Sequence, residues 1–552
     1  MAQALSRQRA RVGTLSVRSW PQRAWATAHH LPVGVKPPTR LPYSVRVPLR
    51  LLLAIAGGLC WWLAFPATGW WPLAFLGSAA IVGALCGAGT ARGILLGLVA
   101  GLSCFVPLLS WSGIYVGALP WLALATLSSL YVAAFGGLSA YLQGVGERAR
   151  VRPLSVALAW VAAEWARATT PFGGFPWARL GFSQADSPVV SVARWLGVPG
   201  VGFLVVLIGG LVALGVQRWV QGRQRGQALG ALLVAAGLLV GPMLIPRPVD
   251  GTPVQVLGIQ GNVPELTLEF NAQRRQVLDN HAETTTAAAQ RVARGEIPAP
   301  DLVLWPENAS DIDPLRNADA AGVIAAAVSA IDAPVVVGGL LEEPVDHVSN
   351  VSLLYLPGQD APVDRYTKRR PVPFAEYIPY RSFFRLFSKQ VDLVPRDFVA
   401  GEGVGLVQVP TDDGVLPLGI GICFEVVIDE VMRDSVRAGA EVMAVPTNNA
   451  TFGFTDESVQ QLAASRVMAI ALGRPIVHIS TVGVSGLVAP DGSVSEQTEL
   501  FTRDILSGSV PRRTELTPAV RLGAWSQTLA VFVLAGLTLL TTVRRRWPRG
   551  QV

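Results

Sequence analysis

The sequence predicts two architectures in one chain: a polytopic α-helical membrane domain and an α/β domain held outside the membrane. Three observations lead there. Of the 552 residues, 51% are hydrophobic and only 15% are charged, against about 25% charged in a typical soluble domain. The apolar residues gather into runs near 51–66, 70–87, 93–110, 119–141, 154–169, 198–216, 227–246 and 524–542. Between the last two of these, residues 247–523 alternate short apolar strands with polar-faced helices, the pattern of a layered α/β domain. A soluble protein, a disordered chain and a disulfide scaffold all fit poorly. The four cysteines, Cys60, Cys86, Cys104 and Cys423, are scattered, and the first three lie inside apolar runs, where a thiol packs as a small hydrophobe.

Taken in order, residues 1–49 form a basic arm. Arg7, Arg9, Arg11, Arg18, Arg23, Lys36, Arg40 and Arg46 are accompanied by no acid. Such an arm could bind nucleic acid, but no reading motif accompanies it, and a cytoplasmic flank to the first span explains it more simply. The net charge of +7 is therefore read as a membrane signal. Residues 50–246 hold about seven spans, several near the roughly 17–25 residues needed to cross the hydrocarbon core. The first two are short, and Phe65-Pro66-Ala67-Thr68-Gly69 between them is either a link or a re-entrant turn. If every run crosses, the links carrying Arg92, then Arg148, Arg150 and Arg152, then Arg218, Arg223 and Arg225 share the side of the N-terminus, as do Arg544, Arg545, Arg546 and Arg549 in the tail 543–552. The positive-inside rule then puts both termini in the cytoplasm and 247–523 outside, with 524–542 as the returning helix. A cleaved signal peptide does not fit, because many further spans follow the first.

Within this half, Glu164 lies beside Trp160, Trp165 and Arg167 at the exit of the fifth run. An intramembrane acid is a functional candidate; the simpler reading places Glu164 at the interface, paired with Arg167. The stretch Pro171-Phe172-Gly173-Gly174-Phe175-Pro176-Trp177 cannot be a regular helix. It either lines a lipid entrance or merely connects two spans.

In the polar domain, strands are expected at 254–260, 301–305, 335–339, 352–356, 418–422 and 442–446, with helices near 270–294, 319–331 and 427–438. Periodicity does not distinguish one open sheet from two stacked sheets. Ligands collect at strand ends in such domains, and three candidates stand out: Glu307, which closes an apolar strand, Lys368 in Tyr366-Thr-Lys-Arg-Arg-Pro-Val-Pro-Phe, and Cys423, which ends the run Gly419-Ile-Gly-Ile-Cys. Singly, each reads as an ordinary surface or buried residue. Together they make a chemical set. A thiolate attacks an ester or amide carbonyl and needs a base and an electropositive neighbour. Glu307 could move the proton, while Lys368 and the Phe424 N–H could hold the oxyanion. His29, His30, His281, His347 and His478 show no metal-binding spacing, and no glycine-rich nucleotide fingerprint is present.

In Gln260-Gly261-Asn262-Val263-Pro264, Trp305-Pro306-Glu307-Asn308, the run from Lys368 through Pro373-Phe374-Ala375-Glu376-Tyr377 to Pro379, and Gly421-Ile422-Cys423-Phe424-Glu425, the chain resembles the apolipoprotein N-acyltransferases. Their outer domain belongs to the nitrilase/carbon–nitrogen hydrolase superfamily. The likeness spans about residues 50–542, including the order of spans, outer domain and closing span. It implies an α-β-β-α sandwich, a monomer, and a multi-pass protein of the bacterial plasma membrane. It also implies Glu307 as general base, Lys368 as oxyanion stabiliser and Cys423 as nucleophile. Glu376 would support the lysine or the acyl-transfer intermediate, and Glu425 would orient the site. Asn350, ahead of the strand carrying Ser352, and Asn448 with Asn449, in a loop near the nucleophile, match family positions. Three departures bear on lid and lipid contacts: Ala375 where many relatives have glycine, Phe424 where tyrosine is frequent, and Leu268-Glu269-Phe270 where a tryptophan often stands.

The activity implied is ping-pong transfer of a fatty acyl chain from a phospholipid, through a Cys423 thioester, to the α-amine of S-diacylglyceryl-cysteine in an apolipoprotein, the last step of lipoprotein maturation. The partners are the bilayer and these two lipidated substrates, without cofactor, metal or nucleic acid. The aromatic and basic segment Tyr377–Lys389 reads either as an arm resting on anionic lipid, acting as a lid, or as filler between domain and spans. Two other functions remain open on the residues alone: a tethered amidase using water as acceptor, and a transporter or scaffold with a degenerate outer domain. The second predicts internal repeats, and none is evident.

Overall fold

The computed structural model describes residues 43–222, 224–263 and 270–546. The arm ahead of residue 43, Arg223, Pro264, Leu268, Glu269 and the tail beyond Arg546 lie outside the described residues.

Each apolar run forms a helix: α1 Tyr43–Leu63, α2 Pro72–Leu85, α3 Thr90–Leu108, α4 Ala118–Gln143, α5 Pro153–Thr169, α6 Ala193–Val220, α7 Arg225–Val240, and a closing helix Trp525–Arg546. Among the described residues five helices are long and apolar enough to cross a membrane: those covering 90–108, 118–143, 188–220, 225–244 and 525–546. Helix α2, with 14 residues, reaches only about 21 Å at 1.5 Å per residue, short of the roughly 30 Å core. Small residues bring α3 and α4 together. A Cβ added at Gly97 would lie 2.3 Å from the Val132 carbonyl oxygen, and one at Gly93 2.5 Å from that of Gly136, the close approach typical of helices packed in lipid.

The helix ends sort onto two faces. At one, Arg50 donates to the Ala84 and Cys86 carbonyls at 2.8 Å, Gln217 Nε2 lies 3.6 Å from Cys86 Sγ, the Val151 N–H donates to Gln217, and the Arg545 guanidinium lies 4.3 Å from the Tyr141 ring centroid. The arginine-bearing links thus share one end of the bundle. The other end meets the polar domain: Gln460 Nε2 donates to Pro66 O, Trp111 packs on Phe452 at 5.0 Å, and Arg247 donates to Asp491 O. Residues 65–71 therefore link two helices of opposite direction. The chain is a multi-pass membrane protein with its polar domain outside.

Among the described residues, twelve strands build that domain: β1 Thr252–Gln260, β2 Leu302–Leu304, β3 Val335–Leu341, β4 Ser349–Tyr355, β5 Asp364–Thr367, β6 Leu406–Thr411, β7 Gly414–Ile420, β8 Val442–Thr447, β9 Ile476–Ser480, β10 Gly486–Val488, β11 Val494–Gln497 and β12 Asp504–Arg512. They form two six-stranded sheets, ordered β12-β1-β2-β3-β4-β5 and β11-β10-β9-β8-β7-β6. Parallel pairing of β1, β2 and β3, and of β7, β8 and β9, places successive strand ends on the same edge.

Alternation of side chains along each strand supplies two apolar faces per sheet. Val256, Leu304 and Tyr366 of the first sheet pack against Val407, Leu418 and Val477 of the second. The outer face of the first sheet, with Leu257, Val303 and Trp305, is covered by α8 Phe270–Ala293 and α9 Ala318–Ile331. The short α10 Arg381–Phe384 lies in the segment between β5 and β6, and on the outer face of the second sheet lie α11 Asp429–Arg437 and α12 Glu457–Leu472, whose Val436, Val467 and Ile470 join Met443 and Ile476 in a core continuous with Trp160 and Val205 of the bundle. The domain is an α-β-β-α sandwich whose second helical layer packs on the membrane helices, and α13 Pro518–Leu522 leads into the closing helix, α14.

Candidate active site

Glu307 follows β2, Lys368 follows β5 and Cys423 follows β7, so both sheets contribute to one edge of the sandwich. Lys368 is 1% exposed, and its Nζ lies 3.0 Å from Glu307 Oε1 and 2.9 Å from Glu376 Oε1. Burial alone would push this ammonium down; the Glu307 and Glu376 carboxylates and the Cys423 side chain reverse that and hold it well above its ordinary value. Asn350 Nδ2 donates to the same two oxygens, at 2.7 and 3.0 Å, and the Asn448 N–H donates to Glu307 Oε2 at 2.9 Å. Asn350 stands inside β4, one residue past its start, rather than ahead of the strand.

Cys423 opens a 3-10 turn, Cys423–Val427, with φ of +53°, a left-handed conformation that costs free energy outside glycine. Burial pushes its thiol up and Glu307 adds to this, while Lys368 opposes it. The first N–H groups of such a turn, that of Phe424 included, have no acceptor within it. Glu425, fully buried, holds the turn to the lysine segment. It accepts from the N–H groups of Arg369 at 2.8 Å, Arg370 at 3.0 Å and Ile422 at 2.8 Å, and from Tyr366 Oη at 3.0 Å. Burial raises its carboxyl, and Lys368 with these donors limits the rise.

The membrane bundle supplies another wall. Phe424 stacks on Phe175 at 5.8 Å and on Trp177 at 6.0 Å, both from the link after α5, and Phe172 of that link packs on Phe374, Tyr380 and Phe384. This link therefore does more than connect two spans. Arg179 Nη1 and Nη2 reach Asp429 at 2.7 and 2.6 Å. Glu164 departs from the interface pairing expected of it. It is buried and accepts the Leu180 N–H at 2.8 Å, while Arg167 donates to the carbonyls of Phe175, Trp177 and Ala178. The two residues brace the same link because its irregular backbone leaves polar groups that must be satisfied inside the protein.

The segment Tyr377–Lys389 carries exposed Tyr380, Phe383, Leu386 and Phe387. Two of its basic residues are partnered by acids, Arg381 with Asp397 and Arg385 with Asp392, so its free surface is more apolar than its sequence suggests.

Sequence reasoning missed Tyr366, Thr447, Glu457 and Gln461. Gln461 Nε2 lies 3.6 Å from Cys423 Sγ, and Asn449 Nδ2 donates to Glu457 at 2.7 Å and to Gln461 at 2.8 Å. The available signal was the polar pair Gln460-Gln461 ahead of the apolar stretch 467–472.

Residues 57–211 match the apolipoprotein N-acyltransferase N-terminal domain and residues 259–518 match the carbon–nitrogen hydrolase family. An apolipoprotein N-acyltransferase of Mycolicibacterium smegmatis is 43% identical over 466 residues, covering 80% of this chain and 75% of that protein. One of Ralstonia nicotianae is 31% identical over 468 residues, covering 81% and 84%. Among solved structures, an amidase from Nesterenkonia sp. aligns over 48% of this chain and 93% of its own, at 15% identity with a TM-score of 0.33, a likeness too low to argue from. With both halves matched in order, the chain belongs to the apolipoprotein N-acyltransferase family, membrane-embedded enzymes of acyl transfer in lipoprotein maturation.

Proposed function

We propose that the chain moves a fatty acyl group from a membrane phospholipid, through a thioester on Cys423, to the free α-amine of S-diacylglyceryl-cysteine at an apolipoprotein N-terminus. One observation carries this reading: the Glu307–Lys368 pair at 3.0 Å shares a site with Cys423 whose Phe424 wall is stacked by Phe175 and Trp177 of the membrane bundle.

In the first half-reaction Glu307 takes the Sγ proton and the sulfur attacks the ester carbonyl. Lys368 Nζ and the Phe424 N–H stabilise the oxyanion. As the tetrahedral intermediate collapses, the ester C–O bond breaks and the lysophospholipid leaves with the proton held on Glu307. In the second half, the α-amine attacks the thioester carbonyl, Glu307 removes the amine proton, and the C–S bond breaks to return the thiol and release the amide. An α-amine has a reference pKa near ~7.7–8.0, so its neutral form is present at ordinary pH. Glu376 and Asn350 fix Lys368, Glu425 fixes the nucleophile turn, and the Asn448 N–H aims Glu307. These groups and the two substrates account for every bond change.

A lipid-facing site suits this reaction, because exposing an acyl chain to water costs about 0.8 kcal/mol per CH₂. We read 50–246 and 524–542 as the membrane part, 247–523 as the catalytic domain, and the exposed aromatics of 380–387 as its lid over the bilayer. One copy of the chain holds the whole site, which favours a monomer.

Intact-mass analysis tests the reading. Wild type incubated with phospholipid should gain one acyl mass, Cys423→Ala none, and a diacylglyceryl lipopeptide should discharge it onto its α-amine. Turnover of small amides with no acyl gain would replace transfer by hydrolysis.

A further inference from the structure

A second polar cluster reaches Cys423 from α12, and the steps above make no use of it. Thr447, Asn449, Glu457, Gln461 and Ser480 are all buried at 2% exposure or less. Gln461 Oε1 accepts from Thr447 Oγ1 at 3.0 Å and from Asn449 Nδ2 at 2.8 Å. Its amide cannot flip without facing NH₂ against NH₂, so Nε2 is committed to Cys423 Sγ at 3.6 Å. Asn449 is fixed in turn, with Oδ1 accepting from Ser480 Oγ and Nδ2 donating at 2.7 Å to Glu457 Oε2.

Glu457 makes no ion pair among the described residues. The charged groups that face it are the Glu307 carboxylate, from the link after β2, and Cys423, from the turn after β7. An ionised Glu457 would add negative charge beside a sulfur that must itself become an anion. A neutral acid in the same place supplies the hydrogen bond without that charge.

We propose that Glu457 is a positioning residue for the nucleophile: as an uncharged carboxylic acid it anchors Asn449, which with Thr447 aims the Gln461 amide N–H at the Cys423 sulfur, ready to donate to the thiolate. The inference rests on Cys423 being the nucleophile. Burial, offset in part by the Asn449 hydrogen bond and reinforced by Glu307, raises the Glu457 carboxyl to about 8, which agrees with a neutral group at working pH. Above that pH its ionisation opposes that of the thiol.

The test is the rate at which iodoacetamide alkylates Cys423 in the full chain across roughly pH 6 to 10, read by intact mass, with Cys423→Ser giving the background from Cys60, Cys86 and Cys104. Glu457→Gln keeps the acceptor for Asn449 and deletes the charge, so the alkylation profile should move to lower pH by roughly one unit. Gln461→Ala deletes the donor to sulfur, so its profile should move the other way, with alkylation at fixed pH slowed up to roughly tenfold. A purely structural role would not shift the two in opposite directions. A Glu457→Gln profile superimposed on wild type overturns the inference, and so does a Gln461→Ala rate equal to wild type. Should Glu457→Gln not fold, the Gln461→Ala profile decides. Acyl gain from phospholipid is scored separately: opposite alkylation shifts with no acylation would sink the transfer reading and leave the role of Glu457 standing.

Discussion

At the scale of single residues, Lys368 holds the most exacting position. Its ammonium is buried between Glu307 and Glu376, and removing it leaves two carboxylates without their shared cation. Lys368→Met should slow thioester formation by about 10²–10³-fold, the cost of an oxyanion donor, measured as acyl mass on Cys423 against time. Lys368→Arg should fail to restore it, since a planar fork does not replace a compact ammonium in that slot. Glu457 gives a stability prediction as well. Its carboxyl sits at about 8 in the folded chain, against an ordinary value of 4.5. Between these values the folded state holds more protons than the unfolded one, so stability falls as pH rises through the window. Wild-type Tm should therefore fall relative to Glu457→Gln from about pH 4.5 to about pH 8; parallel Tm profiles would contradict the assignment. Glu307 and Cys423 were legible because each follows an apolar strand, and Lys368 because it stands in a recognisable motif, its own strand Asp364–Thr367 being short and polar. Glu457 and Gln461 were not. Glu457 opens a helix, where an acid is favoured by the helix dipole alone, and nothing local shows that the helix is buried on all sides.

Among elements, the link after α5 joins the membrane bundle to the Cys423 turn. Phe175 and Trp177 stack on Phe424, and Trp177 Nε1 also donates to Gln460 Oε1 at 3.0 Å. Trp177→Ala removes the stack and leaves the Glu307–Lys368 pair in place. It should lower thioester formation by about two- to twelvefold, the equivalent of the roughly 0.5–1.5 kcal/mol that such a stack contributes beyond its area, while iodoacetamide still alkylates Cys423. Equal losses of both would mean that the variant damages the whole site. Helix positions were readable because apolar runs announce themselves. Strand pairing was not, because β1 joins β12 across more than two hundred residues, and periodicity carries no information about such partners. The short reach of α2 was visible in its run, whereas its neighbours had to be seen.

For the whole molecule, the structure makes topology and packing testable together. Single cysteines placed at Val145, on the arginine-bearing end, and at Val415, on the outer domain, are both at exposed positions. In a cysteine-free background, a membrane-impermeant maleimide added to intact cells should label the second and spare the first; the reverse pattern would invert the chain in the membrane. Gly97→Leu should abolish correct packing of α3 on α4, because its first side-chain carbon already falls 2.3 Å from the Val132 carbonyl, and the expected result is loss of folded protein on size-exclusion chromatography. The division into membrane and outer parts was legible from composition. That the second sheet's helical layer is also the roof of the bundle was not, since α11 was expected only as a helix near 427–438 and α12 was not among the expected elements.

The bracing of residues 164–180 against the Cys423 turn also sets the unit in which this protein can be recombined. The Arg179–Asp429 contact and the Phe424 stack join residues some 250 positions apart. A chimaera taking its outer domain from one relative and its helices from another would inherit mismatched halves of that joint. Only an exchange that carries the link with the domain would keep the two in register, so the functional seam of the chain does not coincide with the boundary between membrane and water.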